Sequence, residues 1–252
     1  PGLDTSRSSM GAGIALYESE VPLTSYGLGT RRLASLAVQQ LAAGNRSIVL
    51  VDELENGLEP HRAVSLLRYL HTDASYSQVF ATTHSAIVVE QSQLENLALV
   101  RKDGGNVQVF SLSASSDRMQ KIRRQRPSSL LARKIILVEG KTEYGMLLQL
   151  MEQWVEERSA SGLSTSAGEG VAVQDAGGGS EVAPRAMELL KLGYEVIGFM
   201  DNDDRSVDFE VKAAENAGVH IVRWDPGMNT ENQICAKLDA SELQSLVDIA
   251  VD

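Results

Sequence analysis

Four acidic residues in the second half of the chain stand where divalent-metal chemistry could be done. Glu139 directly follows the apolar run Lys134-Ile135-Ile136-Leu137-Val138, and Glu143 comes one helical turn later. Asp201 and Asp203 directly follow a second such run, Glu195-Val196-Ile197-Gly198-Phe199-Met200. Residues two apart in extended backbone face the same side, so the two aspartates can act as a pair. Carboxylates gathered without partners repel one another strongly. Mg²⁺ or Mn²⁺ would relieve that repulsion, because hard cations take oxygen ligands. A dense cluster can hold two ions, which activate water and stabilise the leaving oxygen when a phosphodiester is cut. Plainer roles stay open for each pair. Glu143 can complement the positive end of a helix, and Asp-Asn-Asp-Asp after a strand is common turn chemistry.

For these residues to meet, the surrounding elements must bring two strand ends together. The runs 134–138 and 195–200 read as buried strands. Gly140 would let the backbone turn sharply after Glu139. A helix from Thr142 to Glu157 would carry Glu143 in its first turn. Val171 to Gln174 reads as a strand leading into Gly177-Gly178-Gly179-Ser180, small residues past which a phosphate could approach the backbone, or a plain turn. A helix from Val182 to Leu192 with Pro184 near its first turn, a helix from Asp208 to Ala217 and a strand from His220 to Trp224 complete the alternation. Strands alternating with helices imply an α/β fold with mostly parallel sheets covered on both faces. In such sheets chemistry gathers beyond the carboxyl ends of the strands. The expectation is therefore four carboxylates at one edge of one sheet.

The first half has its own pattern. A helix is expected over Thr30–Ala43, a buried strand over Ser47–Val51, a helix over His61–His71 and a strand over Gln78–Thr83. The runs 97–101 and 107–110 flank Asp103-Gly104-Gly105 and read as a hairpin. Asp52 and Glu53 follow the strand Ser47–Val51; in nucleotide hydrolases such an Asp supports Mg²⁺ and the Glu polarises the attacking water. The stretch from Asp52 to Glu59 resembles the Walker B and D-loop of ABC-type ATPases. Thr24-Ser25-Tyr26-Gly27-Leu28-Gly29-Thr30 resembles the ABC signature, whose Ser and Gly amides, here Ser25, Gly27 and Gly29, would bind the γ-phosphate of ATP held by a partner subunit. Ala81-Thr82-Thr83-His84-Ser85 resembles the strand end that carries the switch histidine, here His84. No Gly-x-x-x-x-Gly-Lys-Ser/Thr occurs in the sequence, and Gly11-Ala12-Gly13 is no substitute. Either the P-loop lies upstream in a longer parent, which would then bind ATP, or the ATPase is degenerate; the chain alone is not expected to turn ATP over.

Composition sets the outer bounds. The 252 residues, 43% hydrophobic and 23% charged, are those of an ordinary globular protein. No apolar run approaches the roughly 18 residues of a membrane span, so no membrane partner is expected. The single cysteine, Cys235, excludes an internal disulfide, fits a cytoplasmic setting and reads as a core residue rather than a catalytic thiol. A net charge of −11 disfavours nucleic-acid binding by bulk electrostatics. The positive charge is uneven, however: Arg118, Lys121, Arg123, Arg124, Arg126, Arg133 and Lys134 fall in one stretch without an acid among them. That stretch is either a solvated linker or a phosphate-contacting stripe. With Pro127 it marks the expected boundary between domains 1–126 and 127–252. The helical spacing of Leu243 to Ala250 runs to the last residues without a stop signal, which suggests a fragment of a longer protein.

Val138-Glu139-Gly140-Lys141-Thr142-Glu143 with Met200-Asp201-Asn202-Asp203 resembles the TOPRIM domain shared by topoisomerases, primases and OLD (overcoming lysogenization defect) family nucleases. Glu143 points to the OLD-like branch, and an ABC-like half followed by TOPRIM is the order of OLD-family proteins. The resemblance implies a partial ABC-ATPase α/β domain followed by a TOPRIM domain. It implies metal-dependent DNA cleavage, with Glu139, Glu143, Asp201 and Asp203 as ligands or acid–base groups. It also implies a further acid after a later strand, for which Glu231 is the candidate and Asn229 or Thr230 a helper. Mg²⁺ or Mn²⁺, as two ions, DNA, a homodimer, and a role in phage defence or DNA repair follow from the same resemblance. So does a downstream lysine; Lys237 is too close to Glu231 to fit, which would place that lysine beyond Asp252. A topoisomerase-like or primase-like TOPRIM protein, with Tyr144 or Tyr194 as nucleophile, and a non-catalytic ATP-gated SMC-like module are the competing expectations.

Overall fold

The computed structural model describes residues 2–3, 14–43, 47–72, 76–112 and 117–251. The Gly11-Ala12-Gly13 stretch lies outside them. The chain divides into two compact units, Pro1–Ser92 and Gln93–Asp252.

In the first unit, helix α1 (Leu28–Ala43) precedes strand β1 (Ser47–Val51), helix α2 (Pro60–Thr72), strand β2 (Tyr76–Ala81) and helix α3 (Ala86–Gln91). Ahead of them two pairs of two-residue strands form, Gly2–Leu3 with Ile14–Ala15 and Tyr17–Glu18 with Val21–Pro22. β1 and β2 are parallel neighbours. Val49, Val51 and Val79 pack with Leu54 of the following turn and with Ala63, Leu66 and Leu70 of α2. Alternate strand residues take the opposite face, and there Ile48, Leu50 and Phe80 are exposed by 63%, 76% and 54%. The strand expected to be buried at Ser47–Val51 is therefore buried on one face only. α3 was not read from the sequence; Ser85 caps it by accepting from the Val88 N–H.

The second unit opens with the expected hairpin, β3 (Ala98–Asp103) and β4 (Asn106–Ser111). Helix α4 (Asp117–Gln125) and a 3₁₀ turn, Pro127–Leu131, follow. Then β5 (Lys134–Val138), α5 (Lys141–Ala160), β6 (Val171–Asp175), α6 (Gly179–Lys191), β7 (Glu195–Met200), α7 (Asp208–Asn216), β8 (His220–Arg223), α8 (Thr230–Lys237) and α9 (Ala240–Val251) complete it. The four strands β5 to β8 form one parallel sheet in the order β6-β5-β7-β8. Ile135, Leu137 and Val138 of its centre are fully buried, as are Val182, Ala186 and Leu189 of α6. Among the described residues no helix is long and apolar enough to cross a membrane.

Several local expectations change. The boundary expected at residue 127 lies inside the second unit, because the hairpin and α4 pack there. The Arg101 guanidinium of β3 stacks on the Tyr194 ring at 3.9 Å, and α4 buries Met119 and Ile122. α6 begins three residues before Val182, so Pro184 sits within the helix rather than in its first turn. Cys235 is exposed, not a core residue, because α8 buries Thr230 and Gln233 instead.

Candidate metal centre

The register of the sheet sets the site. Val138 of β5 lies level with Phe199 of β7 on one side and Asp175 of β6 on the other. Glu139 and Asp201 therefore leave neighbouring parallel strands at the same edge. The bond across the gap is direct: the Asp201 N–H donates to Glu139 Oε2 at 3.0 Å. The Glu139 N–H in turn donates to the Phe199 carbonyl at 3.1 Å.

Glu143 enters from the first turn of α5 and is only 4% exposed. Its Oε2 accepts from the Gly140 N–H at 2.8 Å, which satisfies one of the free amides at the helix start. Gly140 is extended, with φ −146°, so the sharp turn expected there is not its role. A Cβ at that position would instead lie 3.3 Å from Glu143 Oε2. The glycine loop after β6 closes the third side. Gly178 holds φ +132° and its N–H donates to the Glu139 carbonyl at 2.8 Å. A Cβ on Gly179 would stand 2.9 Å from Glu139 Oε1, so the small residue makes room for the carboxylate.

The Asp201 loop is tied down from behind. Asp201 Oδ1 accepts from both the N–H and the hydroxyl of Thr230, each at 2.9 Å. Trp224 Nε1 donates to the same hydroxyl at 2.7 Å, and its ring packs edge-on against Phe199 at 5.0 Å. The Asn202 side chain donates to the Trp224 carbonyl at 2.9 Å, and Arg223 Nε to the Asp201 carbonyl at 3.2 Å. Asn229 caps α8 by accepting from the Asn232 N–H. Thus Thr230 is the residue that α8 brings to Asp201. Glu231 and Asp203 are exposed and take no part in these bonds. Lys237 pairs with Asp225 at 3.8 Å.

The electrostatics are those of crowded acids. Burial, and then the charges of Asp201, Glu143 and Asp203, push the Glu139 carboxyl above the usual range, against the bond from the Asp201 N–H. Burial raises Asp201 too, with the charges of Glu143 and Asp203, against its two bonds from Thr230. Arg223, which bonds the Asp201 carbonyl, has its own charge paired with Asp208 at 2.6 Å. An all-oxygen donor set with excess negative charge fits a hard divalent cation. Among the described residues no three His, Cys, Asp or Glu side chains are drawn together tightly enough to hold one ion as they stand. Glu139, Glu143 and Asp201 each have one oxygen committed to an amide or hydroxyl.

Of the two tyrosines expected for a topoisomerase-like nucleophile, Tyr194 is disfavoured. Tyr194 is 2% exposed, its hydroxyl donates to the Leu130 carbonyl at 2.7 Å, and burial pushes its phenol up to about 12.

The ATPase-like residues form a separate cluster in the first unit. Thr82, at the end of β2, donates to Asp52 Oδ1 at 2.7 Å and accepts from the Glu53 N–H at 2.8 Å. Glu53 holds a left-handed φ of +46°, an uncommon state for a residue other than glycine. Gly29 is buried, and a Cβ there would lie 2.2 Å from the Gly57 carbonyl oxygen. Ser25 and Gly27 are exposed; Gly27 caps α1 through its carbonyl, which accepts from Arg31. Glu59 directly precedes α2 and pairs with Arg62 at 3.2 Å. The sequence reading missed Glu55. Its carboxylate accepts from the His84 N–H at 2.6 Å and from the Thr83 hydroxyl at 2.8 Å. Burial raises its pKa, but those bonds outweigh burial and hold it below the usual range. The second glutamate of Asp-Glu-Leu-Glu was the available signal.

Residues 10–90 match an AAA domain family described with the AbiEii toxin of a type IV toxin–antitoxin system. Residues 130–203 match the Overcoming lysogenization defect protein-like TOPRIM domain, a span that contains Glu139, Glu143, Asp201 and Asp203 and stops before Glu231. No curated protein matches the chain. With an AAA-type ATPase segment followed by an OLD-like TOPRIM segment, the chain has the two-part layout of OLD-family ATPase–TOPRIM proteins.

Proposed function

We propose that the second unit is a divalent-metal-dependent DNA endonuclease centre. The observation that carries this reading is the meeting of Glu139 and Asp201 across neighbouring parallel strand ends, joined at 3.0 Å. Glu139 and Glu143 would share one Mg²⁺ or Mn²⁺ and base duty, and Asp201 and Asp203 would hold a second ion. Such ions supply Lewis acidity toward the phosphodiester and raise the acidity of water. The chain's own part is positioning. Gly140 fixes one Glu143 oxygen and leaves the other for a ligand. Thr230 fixes one Asp201 oxygen in the same way. The raised pKa of Glu139 suits a group that takes a proton from water during the reaction. Glu231, exposed on α8, would be a further ligand. The first unit would couple this centre to ATP only with a P-loop supplied by another segment. A homodimer and a role in phage defence or DNA repair are the parts of this reading carried by family layout alone, and a cytoplasmic setting rests on the single cysteine.

The test is nicking of supercoiled plasmid with Mg²⁺ or Mn²⁺. Wild type should nick, and Asp201→Ala and Glu139→Ala should each lower the rate by at least about 100-fold, a transition-state loss of about 3 kcal/mol. Undiminished cleavage by both variants would reject the site. No cleavage by wild type with any metal would favour a non-catalytic module.

A further inference from the structure

The seven cations between Arg118 and Lys134 do not behave alike. Arg118 is neutralised by Glu181 at 2.8 Å and Glu188 at 3.6 Å. Lys134 is shared by Glu169 at 3.3 Å and Glu195 at 3.5 Å. Arg123 is turned onto Gln120 of its own helix. Arg126 differs from these: it is exposed, and its guanidinium lies 4.4 Å from the centre of the Tyr144 ring. Tyr144 directly follows Glu143 in the first turn of α5, about 3.8 Å along the chain by Cα spacing. It packs on the same apolar cluster as Trp224, which lies under the Asp201 loop.

The backbone that presents Arg126 is fixed from below. The Arg126 carbonyl accepts from Ser129 Oγ at 2.6 Å, and the buried Gln174 amide of β6 donates to that hydroxyl. The Tyr194 hydroxyl holds the next residue of the turn, Leu130. Before it, α4 buries Met119 and Ile122, which leaves Lys121 and Arg124, one turn apart, exposed on the other side of the helix. A chain of net charge −11 thus carries exposed cations at Lys121, Arg124 and Arg126, the last of them stacked on the first turn of α5 that also carries Glu143.

We propose that Arg126, with Arg124 and Lys121 behind it, is the track along which the DNA phosphate backbone reaches the carboxylate centre. This rests on the nuclease reading for its direction. A guanidinium stacked on an aromatic ring keeps its N–H groups free at the edge, and those groups match phosphate oxygens. Alternating contacts on successive phosphates bring affinity without base specificity. Arg126 here is a binding residue, not a catalytic one.

The experiment is binding of a fluorescein-labelled 30-base-pair duplex by the full chain, read by anisotropy in Ca²⁺ across a salt series, beside plasmid nicking in Mg²⁺. Arg126→Ala should weaken binding about 10-fold and lower the salt slope by about one. Lys121→Ala/Arg124→Ala should lower the slope by about two. Arg126→Lys should recover the slope and part of the affinity, which a merely structural role for Arg126 would not produce. In nicking, Arg126→Ala should raise KM more than it lowers kcat. Unchanged affinity and slope in all three variants would overturn the track, even if wild type nicks DNA. Lost affinity in the variants with no nicking by wild type would sustain the track and reject the nuclease reading. Absence of duplex binding by wild type would overturn both.

Discussion

Thr230 gives both its N–H and its hydroxyl to a single oxygen of Asp201, and Trp224 Nε1 holds that hydroxyl in turn. A hydroxyl donates one proton, so its direction is set by the indole it accepts from. The Asp201 carboxylate is thereby aimed before any ligand arrives. Thr230→Val keeps the shape and the N–H bond but removes the hydroxyl. It should leave the fold intact by circular dichroism and lower plasmid nicking about 10-fold, with Thr230→Ser restoring it; such a loss is about 1.4 kcal/mol, the size of one charged hydrogen bond. Equal nicking by the valine variant would show that the threonine only starts the helix. Glu139 and Asp201 were legible in the sequence because each follows an apolar strand run at its carboxyl end. Thr230 was legible only as one of two helpers to Glu231. Its bond depends on how the chain returns after β8, and no local spacing encodes that return. The same holds for Glu143, whose spacing gave its helix turn but not its use as the partner of Gly140.

Glycines at two element junctions test how tightly the elements are set, because the same substitution meets different neighbours. Gly29→Ala in α1 puts a methyl 2.2 Å from the Gly57 carbonyl oxygen, a backbone atom that cannot step aside. The first unit should lose about 1–3 kcal/mol, the usual cost of forcing extra volume into a packed contact. Gly179→Ala at the start of α6 puts a methyl 2.9 Å from Glu139 Oε1, the far end of a side chain that can rotate. Its cost in thermal midpoint should be small and its cost in nicking large, because the displaced group is the candidate ligand. Comparing both readouts for both variants separates packing from chemistry; a large midpoint loss for Gly179→Ala with normal nicking would contradict the placement of Glu139. At this scale the sequence did well where the apolar period was strong. All four strands of the second sheet were read within a residue or two. It did less well where contacts from distant segments decide. α4 was read as a linker or stripe, since its Lys and Arg content hides the Met119 and Ile122 spacing that buries one face. β1 was read as buried on both faces, because an apolar run does not tell how many layers will cover it.

For the whole molecule, the crowded carboxylates make stability depend on pH and on divalent cations together. Glu139 and Asp201 have folded-state pKa values raised above their ordinary ones. An acid of that kind binds its proton more tightly in the folded state than in the unfolded one. Its stabilising contribution is therefore present below the unfolded value, about 4, and is lost as pH rises through the folded value. At neutral pH in EDTA the fold carries the remaining repulsion. Mg²⁺ or Mn²⁺ should relieve it, since a ligand that binds only the folded state stabilises by mass action. At pH 5 protons compete for the same oxygens, so the metal-induced rise in thermal midpoint should be larger at pH 8 than at pH 5. Glu139→Gln and Asp201→Asn keep an accepting oxygen for the bonds from the Asp201 N–H and from Thr230 while removing a charge. Each should raise the midpoint in EDTA at pH 8 by about 1–3 °C and should blunt the response to metal. Two outcomes would contradict this account of the site: a midpoint in wild type that ignores both metal and pH, or variants less stable than wild type in EDTA. The second would mean that the carboxylates contribute attractive contacts outweighing their mutual repulsion, and a centre of that kind would have no excess charge to offer a cation.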